Sequence, residues 1–203
     1  MTSTKKREHY HHGALREALL AAARTLVNEH GAENFSLADA CRLAGVSTAA
    51  PYRHFRDKQH VLEEVTAQGF ETLTARFHQA IRRHGSGTIA AIAAMGKAYV
   101  AFAREQPAVF RLMFGQQPAL KDAERVERCG HDCFGTLVEQ TALYCERQGL
   151  SANVSEVAVQ LWTFVHGASS LAIDGDYDEV APGLDIERMI DDATPNLLPV
   201  KRG

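Results

Sequence analysis

The stretch FSLADACRLAGVSTAAPYRHF, residues 35–55, narrows the fold of this chain more than any other. Ser36 is a good N-cap, with a hydroxyl able to accept a free amide, and it opens a short helix through Leu43. Ala44, Gly45 and Val46 make a tight turn, and Ser47 is placed to cap a second short helix running to about Phe55. Pro51 interrupts this simple picture, because a proline has no N–H and forfeits the bond to the Ser47 carbonyl. Within the first turn that loss is tolerable. A later start, with Pro51 itself as the first helical residue, would leave barely one turn.

The rest of the chain keeps the same helical period. Leu15, Leu19, Ala22 and Leu26 place a first helix over about 14–30, closed at Gly31. Asp57 is positioned to cap a long helix carrying Val61, Val65, Leu73, Phe77 and Ile81, which ends at Gly85-Ser86-Gly87. Ile89, Ile92, Met95, Tyr99 and Phe102 form the next stripe, before a turn at Pro107 and the short segment PAVFRLMFG. Two further helices are expected over about 119–147 and 153–173, then a polar turn, a short helix over 184–193 and a loose tail after Pro195. No strand alternation and no internal repeat is present, so the fold class is all-α. A head over residues 1–60 and a larger helical body over 61–203 are expected to meet within the long helix. The helix over 153–173 carries a single formal charge, Glu156. A helix apolar nearly all round needs cover nearly all round, and a second copy of the chain supplies it most simply.

Charge is distributed unevenly. Residues 1–60 hold nine Lys or Arg against six Asp or Glu and six of the ten histidines, whereas the remainder holds 13 cations against 19 acids. Any polyanion is therefore attracted to the N-terminal end. The four cysteines, Cys41, Cys129, Cys133 and Cys145, do not form a secreted disulfide framework, and no apolar stretch approaches the roughly 20 residues that span a bilayer. A cytoplasmic protein with no membrane partner is the expectation.

On a helical wheel of about 100° per residue with Pro51 at zero, Phe55 lies about 40° away, while Arg53 and Ala49 lie near 200° and 160°. Pro51 and Phe55 then face inward, and Ala49 and Arg53 outward. Small Thr48 and Ala49 allow the first turn to enter a DNA major groove deeply, with Tyr52 and His54 on the flanks near phosphates. Lys58 opens the following helix, whose free amides also favour phosphate, and Lys5, Lys6 and Arg7 form a basic arm ahead of the first helix. Ser36 and Ser47, at the starts of the two short helices, complete the candidate DNA-binding set. The competing reading is a helical hairpin that only packs, with Tyr52 and Arg53 as ordinary surface residues.

The runs YHHGALREALLAAARTLVNEHG, FSLADACRLAGVS and APYRHFRDKQHVLEEV resemble the N-terminal DNA-binding domain of the TetR family of transcriptional regulators over about residues 10–75. The later WTFVHGASSLAIDG resembles the signature of a family subgroup defined by Trp162, His166 and Gly167. One departure stands out: Pro51 occupies a place where the family often has an ordinary apolar residue. The resemblance implies a homodimer assembled through C-terminal helices, with two helix-turn-helix heads on a palindromic operator in double-stranded DNA. It also implies that a small-molecule effector in the body releases the DNA; neither a cofactor nor enzymatic activity is expected. Ser47–Phe55 becomes the recognition helix, with Thr48, Ala49 and Arg53 toward the groove and Tyr52, His54 and Lys58 toward the backbone.

For the effector, Phe102, Phe110, Met113, Phe114, Tyr144, Trp162 and His166 are the candidates, although apolar residues at helical spacing are core first. Cys129 and Cys133 are four apart on one predicted helix, but His131 points about 200° away from Cys129, so no metal site is expected. Asp174, Asp176 and Asp178 imitate the start of a calcium loop, yet Glu179 stands where glycine is required. No nucleophile, base and orienting group occur in recognisable spacing.

Overall fold

The computed structural model describes residues 3–115, 120 and 123–201, with side chains from residue 14 onward. Helices account for nearly all of its regular structure, and no strand occurs among the described residues. In chain order they are α1 (Ser3–His30), α2 (Leu37–Ala44), α3 (Lys58–His84), α4 (Ile89–Glu105), α5 (Pro107–Phe114), α6 (Glu124–Gln148), α7 (Val154–Asp174), α8 (Asp176–Val180) and α9 (Ile186–Leu197). A single 3-10 turn, Pro51–Arg53, lies between α2 and α3.

Local chemistry sets these boundaries. Gly31 takes φ 81° and its N–H bonds the Val27 carbonyl, closing α1. The Ser36 hydroxyl accepts from the Asp39 amide at 3.2 Å and donates to the Asp39 carboxylate at 2.7 Å, fixing the start of α2. Gly45 ends α2 in the left-handed region, with its own amide on Arg42 O and that of Val46 on Cys41 O. Asp57 Oδ1 accepts from the His60 amide at 2.8 Å, and Asn153 and Asp185 cap α7 and α9 in the same way.

Several boundaries differ from the sequence expectation. The backbone of α1 is already helical at Ser3 rather than at about residue 14, since no proline interrupts that run. The side chains of Lys5, Lys6 and Arg7 lie outside the described residues. The segment after Pro107 is a helix, as suits a proline in the first helical position. α6 begins at Glu124 rather than near residue 119, which itself lies outside the described residues. The polar turn after α7 contains the five-residue α8, and α9 continues through Pro195 to Leu197. The tail beyond Pro195 is packed rather than loose, because Leu198 is buried and Tyr144 Oη donates to the Pro199 carbonyl at 3.2 Å.

The chain forms two compact units, one comprising Met1–Gly69 with Ala108–Glu127, the other Phe70–Pro107 with Arg128–Gly203. In the first, Leu19, Leu20, Ala23 and Val27 of α1 are buried, as are Phe35, Cys41, Phe55, Val61, Val65 and Val109. Gly69 of α3 is a close-approach point there: an added Cβ would stand 2.6 Å from Met113 Sδ. In the second, α4 packs against α7 and α9. One cluster joins Ile92, Tyr144, Cys145, Val157, Leu161 and Leu198, and another joins Val100, Ala168 and Ile190.

Candidate nucleic-acid interface and interior polar cluster

Between Ser47 and Phe55 the chain is helical in sense but is not the regular α-helix expected for Ser47–Phe55. Ala50 N–H bonds Ser47 O, Arg53 N–H bonds Ala50 O, and Pro51 O accepts from both His54 and Phe55. The ladder is of the i to i+3 kind until its last bond. Pro51 explains the tightening, because the amide that an α-helix would send to Ser47 O does not exist, and the Ala50 amide takes that acceptor instead. No side-chain cap from Ser47 is needed for this turn.

The two faces of the segment agree with the wheel. Pro51 and Phe55 are buried, Phe55 at 2% exposure, while Ser47, Thr48, Ala49, Tyr52 and Arg53 are exposed. Tyr52 is 65% exposed, an unusual state for so large a ring in a packed region. His54 is half-buried, with its ring edge-on to Phe55 at 6.4 Å. Lys58, at the start of α3, donates to Glu33 O at 2.9 Å and stands over the Phe35 ring at 5.3 Å. An ammonium has three donors, so this anchorage fixes the side chain and leaves protons for another acceptor. Thr48, Ala49, Tyr52 and Arg53 are thus presented outward from one short turn. Ser36 is committed to its capping role at the start of α2.

Behind the turn lies a charged group that the sequence reading did not single out. Glu64, 7% exposed, accepts through Oε2 from Arg16 of α1 and from Arg125 of α6, the latter at 2.5 Å. A readable signal existed, since Glu64 falls only about 60° from Val61 on the wheel, at the edge of the inward face of α3.

In the second unit, Trp162 and His166 of α7 meet Tyr99 of α4. Trp162 Nε1 donates to Tyr99 Oη at 3.1 Å, and Tyr99 Oη lies 2.8 Å from His166 Nδ1. An indole N–H only donates, so the phenol accepts there and has its own proton to give to the imidazole. Phe134 of α6 closes the group edge-on against Trp162 at 5.8 Å. Burial drives the Tyr99 hydroxyl well above the ordinary tyrosine range and holds His166 below its usual 6.5, so a neutral ring accepts at Nδ1.

The other effector candidates are placed separately. Phe102 is fully buried, with Arg76 5.5 Å over its ring. Phe110, Met113 and Phe114 belong to the first unit, where Phe110 and Phe114 stand 4.9 Å apart. Tyr144 sits in the Ile92 cluster. Tyr99 and Phe134 were missed as partners of Trp162, although a hydroxyl on the stripe of α4 was the available signal. Cys133 is buried and its thiol is pushed up to about 11, which keeps it a protonated, unreactive group. The Cys129 thiol lies 3.8 Å from a Glu71 oxygen.

His166 makes stability depend on pH in a defined sense. With its folded value below 6.5, the unfolded chain binds more protons, so the contribution is complete above about pH 6.5 and is lost as pH falls below it. The thermal midpoint is expected to fall between about pH 7 and 5.5, and His166→Gln is expected to flatten that part of the profile. Superimposable profiles for the two proteins would remove His166 from this account.

Compared with known proteins, the chain matches the family model for bacterial regulatory proteins of the tetR family over residues 19–65. It also matches the model for a tetracyclin repressor-like C-terminal domain over residues 92–194. No curated protein matches it. Among solved structures, a protein of unknown function from Rhodococcus sp. RHA1 is 31% identical at a TM-score of 0.80, covering 93% of this chain and 96% of that one. The TetR family regulator PfmR from Thermus thermophilus is 18% identical at a TM-score of 0.64, covering 93% and 98% of the two chains. FadR from Bacillus subtilis, solved with stearoyl-CoA, is 10% identical at a TM-score of 0.73, covering 92% and 100%. At the last two identities the likeness is one of fold.

Proposed function

This chain belongs to the TetR family of transcriptional regulators, and from that premise we propose that it is a ligand-responsive repressor that binds a palindromic operator as a homodimer. The observation that carries the reading is the outward display of Thr48, Ala49, Tyr52 and Arg53 over buried Pro51 and Phe55. Thr48, Ala49 and Arg53 face base edges in the major groove. Tyr52, His54 and Lys58 hold phosphates, assisted by Ser47, by the start of α2 at Ser36 and by Lys5, Lys6 and Arg7. Residues 1–60 serve DNA binding, and residues 61–203 serve effector binding and dimerisation.

The effector is proposed to meet the Tyr99, Trp162 and His166 group, where an apolar setting contains a few convergent polar atoms. For the dimer, α7 offers the supporting surface. Val159 is 44% and Leu171 41% exposed, and a Cβ at Gly167 would meet nothing within 4 Å. Two copies of this face pressed together would cover it, with α9 alongside. Among the described residues no helix is long and apolar enough to cross a membrane, and the cytoplasm, where the DNA is, is the proposed location. The regulator acts by binding, without turnover.

Gel-shift titration across a salt series tests the docking. Tyr52→Ala and Lys58→Ala are expected to weaken binding to every duplex by similar factors, and loss of one phosphate contact at Lys58 lowers the salt slope by about 0.9 per head. Unchanged binding by both variants would refute this placement of the head on DNA.

A further inference from the structure

We propose that Glu64 is the positioning residue of the DNA-reading turn, and that Arg125 is the handle by which α6 acts on that turn through Glu64. The inference rests on the reading of residues 47–55 as the DNA-contacting element, and it adds how that element is held.

The turn has few bonds of its own, as Pro51 denies it a full α-helical ladder. Its fixed point is Phe55, whose ring is gripped from two sides. The Arg16 guanidinium stands 5.5 Å over the Phe55 ring, and the His60 ring meets it edge-on at 5.7 Å. His60 is oriented in turn, because its Nδ1 accepts the Arg56 amide at 3.2 Å, which leaves Nε2 facing Glu64 Oε1 at 4.0 Å. Both grips on Phe55 therefore lean on one carboxylate: Arg16 is bonded to Oε2 and His60 faces Oε1.

Arg125 donates to the same Oε2 from the first turn of α6. α6 continues into the second unit, where it carries Cys133 and Phe134. A displacement of the first turn of α6 withdraws Arg125 and leaves Glu64 with one arginine in place of two. The carboxylate then recentres on Arg16, and the grip on Phe55 shifts with it. A buried carboxylate shared by two guanidiniums contributes little net stability compared with an apolar residue of the same volume, because desolvation offsets the attraction. What the arrangement supplies is a defined geometry that depends on where the first turn of α6 stands.

Hydrogen exchange of the full chain, without DNA, tests this directly. Glu64→Gln is expected to speed exchange of the Arg53, His54, Phe55 and Arg56 amides by about tenfold or more, with Ala40–Ala44 of α2 and Ala158–Ser169 of α7 unchanged. Arg125→Gln is expected to produce the same local pattern more weakly, and Arg125→Lys, which keeps the charge, to restore most of the protection. Acceleration spread evenly over α1, α2 and α3 would show that Glu64 only stabilises the unit, and unaltered exchange at 53–56 would overturn the proposal. Should Glu64→Gln fail to fold, the comparison of Arg125→Gln with Arg125→Lys decides alone: equal exchange in the two contradicts the proposed handle. Because no duplex is present, failure here is distinct from failure of the DNA-binding reading, which the gel shift reports.

Discussion

Replacing Phe55 with alanine is expected to lower the thermal unfolding midpoint by on the order of 10 °C and to abolish specific DNA binding. The ring is 2% exposed and is met by the Arg16 guanidinium and the His60 ring, so truncation opens a cavity beside both side chains. Phenylalanine to alanine in a packed core costs about 3–5 kcal/mol, and each kcal/mol lowers the midpoint by about 2–4 °C in a chain of this length. The functional loss should exceed the loss expected from unfolding alone, because the turn carrying Thr48, Ala49, Tyr52 and Arg53 is anchored at this ring. Phe55→Leu, which keeps most of the volume, is expected to retain the larger part of both properties. Equal stability of Phe55→Ala and the parent in a melting experiment would contradict the packing described for the first unit.

Gly87→Ala is expected to destabilise the chain by about 3 kcal/mol. Gly87 joins α3 to α4 at φ 64°, and an added Cβ would stand 2.7 Å from Leu143 Cβ and 3.0 Å from the Leu143 carbonyl carbon. Its amide cannot move away freely, since Gln140 Oε1 accepts it at 2.8 Å and also accepts the Ser86 hydroxyl at 3.0 Å. Urea titration should show a lower midpoint with an unchanged slope. Gly135→Ala is the control. That position is exposed within α6 and its Cβ would meet nothing within 4 Å, so the same substitution is expected to stabilise by about 0.5–1 kcal/mol. Equal effects at the two glycines would invalidate the close approach seen at Gly87.

The fold was legible wherever a local signal coincided with the helical period. Ser36, Gly45, Asp57 and Asn153 mark boundaries in the sequence because each supplies a cap by its own chemistry. The tail after Pro195 was not legible in this way, since its order comes from Leu198 and the Tyr144 hydroxyl, contacts made over 50 residues apart. The reading turn was half legible. Periodicity gives the inward pair Pro51 and Phe55 under either helix type, but it does not reveal that a missing amide at Pro51 tightens the ladder into 3-10 geometry. Glu64 was hidden for another reason: a carboxylate at the edge of an apolar face reads as surface until two arginines from distant segments are seen to meet it. In the body, Trp162 and His166 stood out by residue type, while the joining atom, Tyr99 Oη, required knowing that α4 packs on α7.

A chain that reads DNA through the turn ending at Phe55 must prefer some duplexes over others. A binding selection from random duplexes, run in parallel with the parent and with Arg53→Ala, tests this most directly. The parent is expected to enrich an inverted repeat whose half-sites lie about one helical turn apart, or a multiple of that distance. Arg53→Ala should relax the preference at a symmetric pair of positions by about 1–3 kcal/mol each, while leaving the repeat otherwise recognisable. Failure of the parent to enrich any sequence, or an identical preferred site for both proteins, would contradict the account.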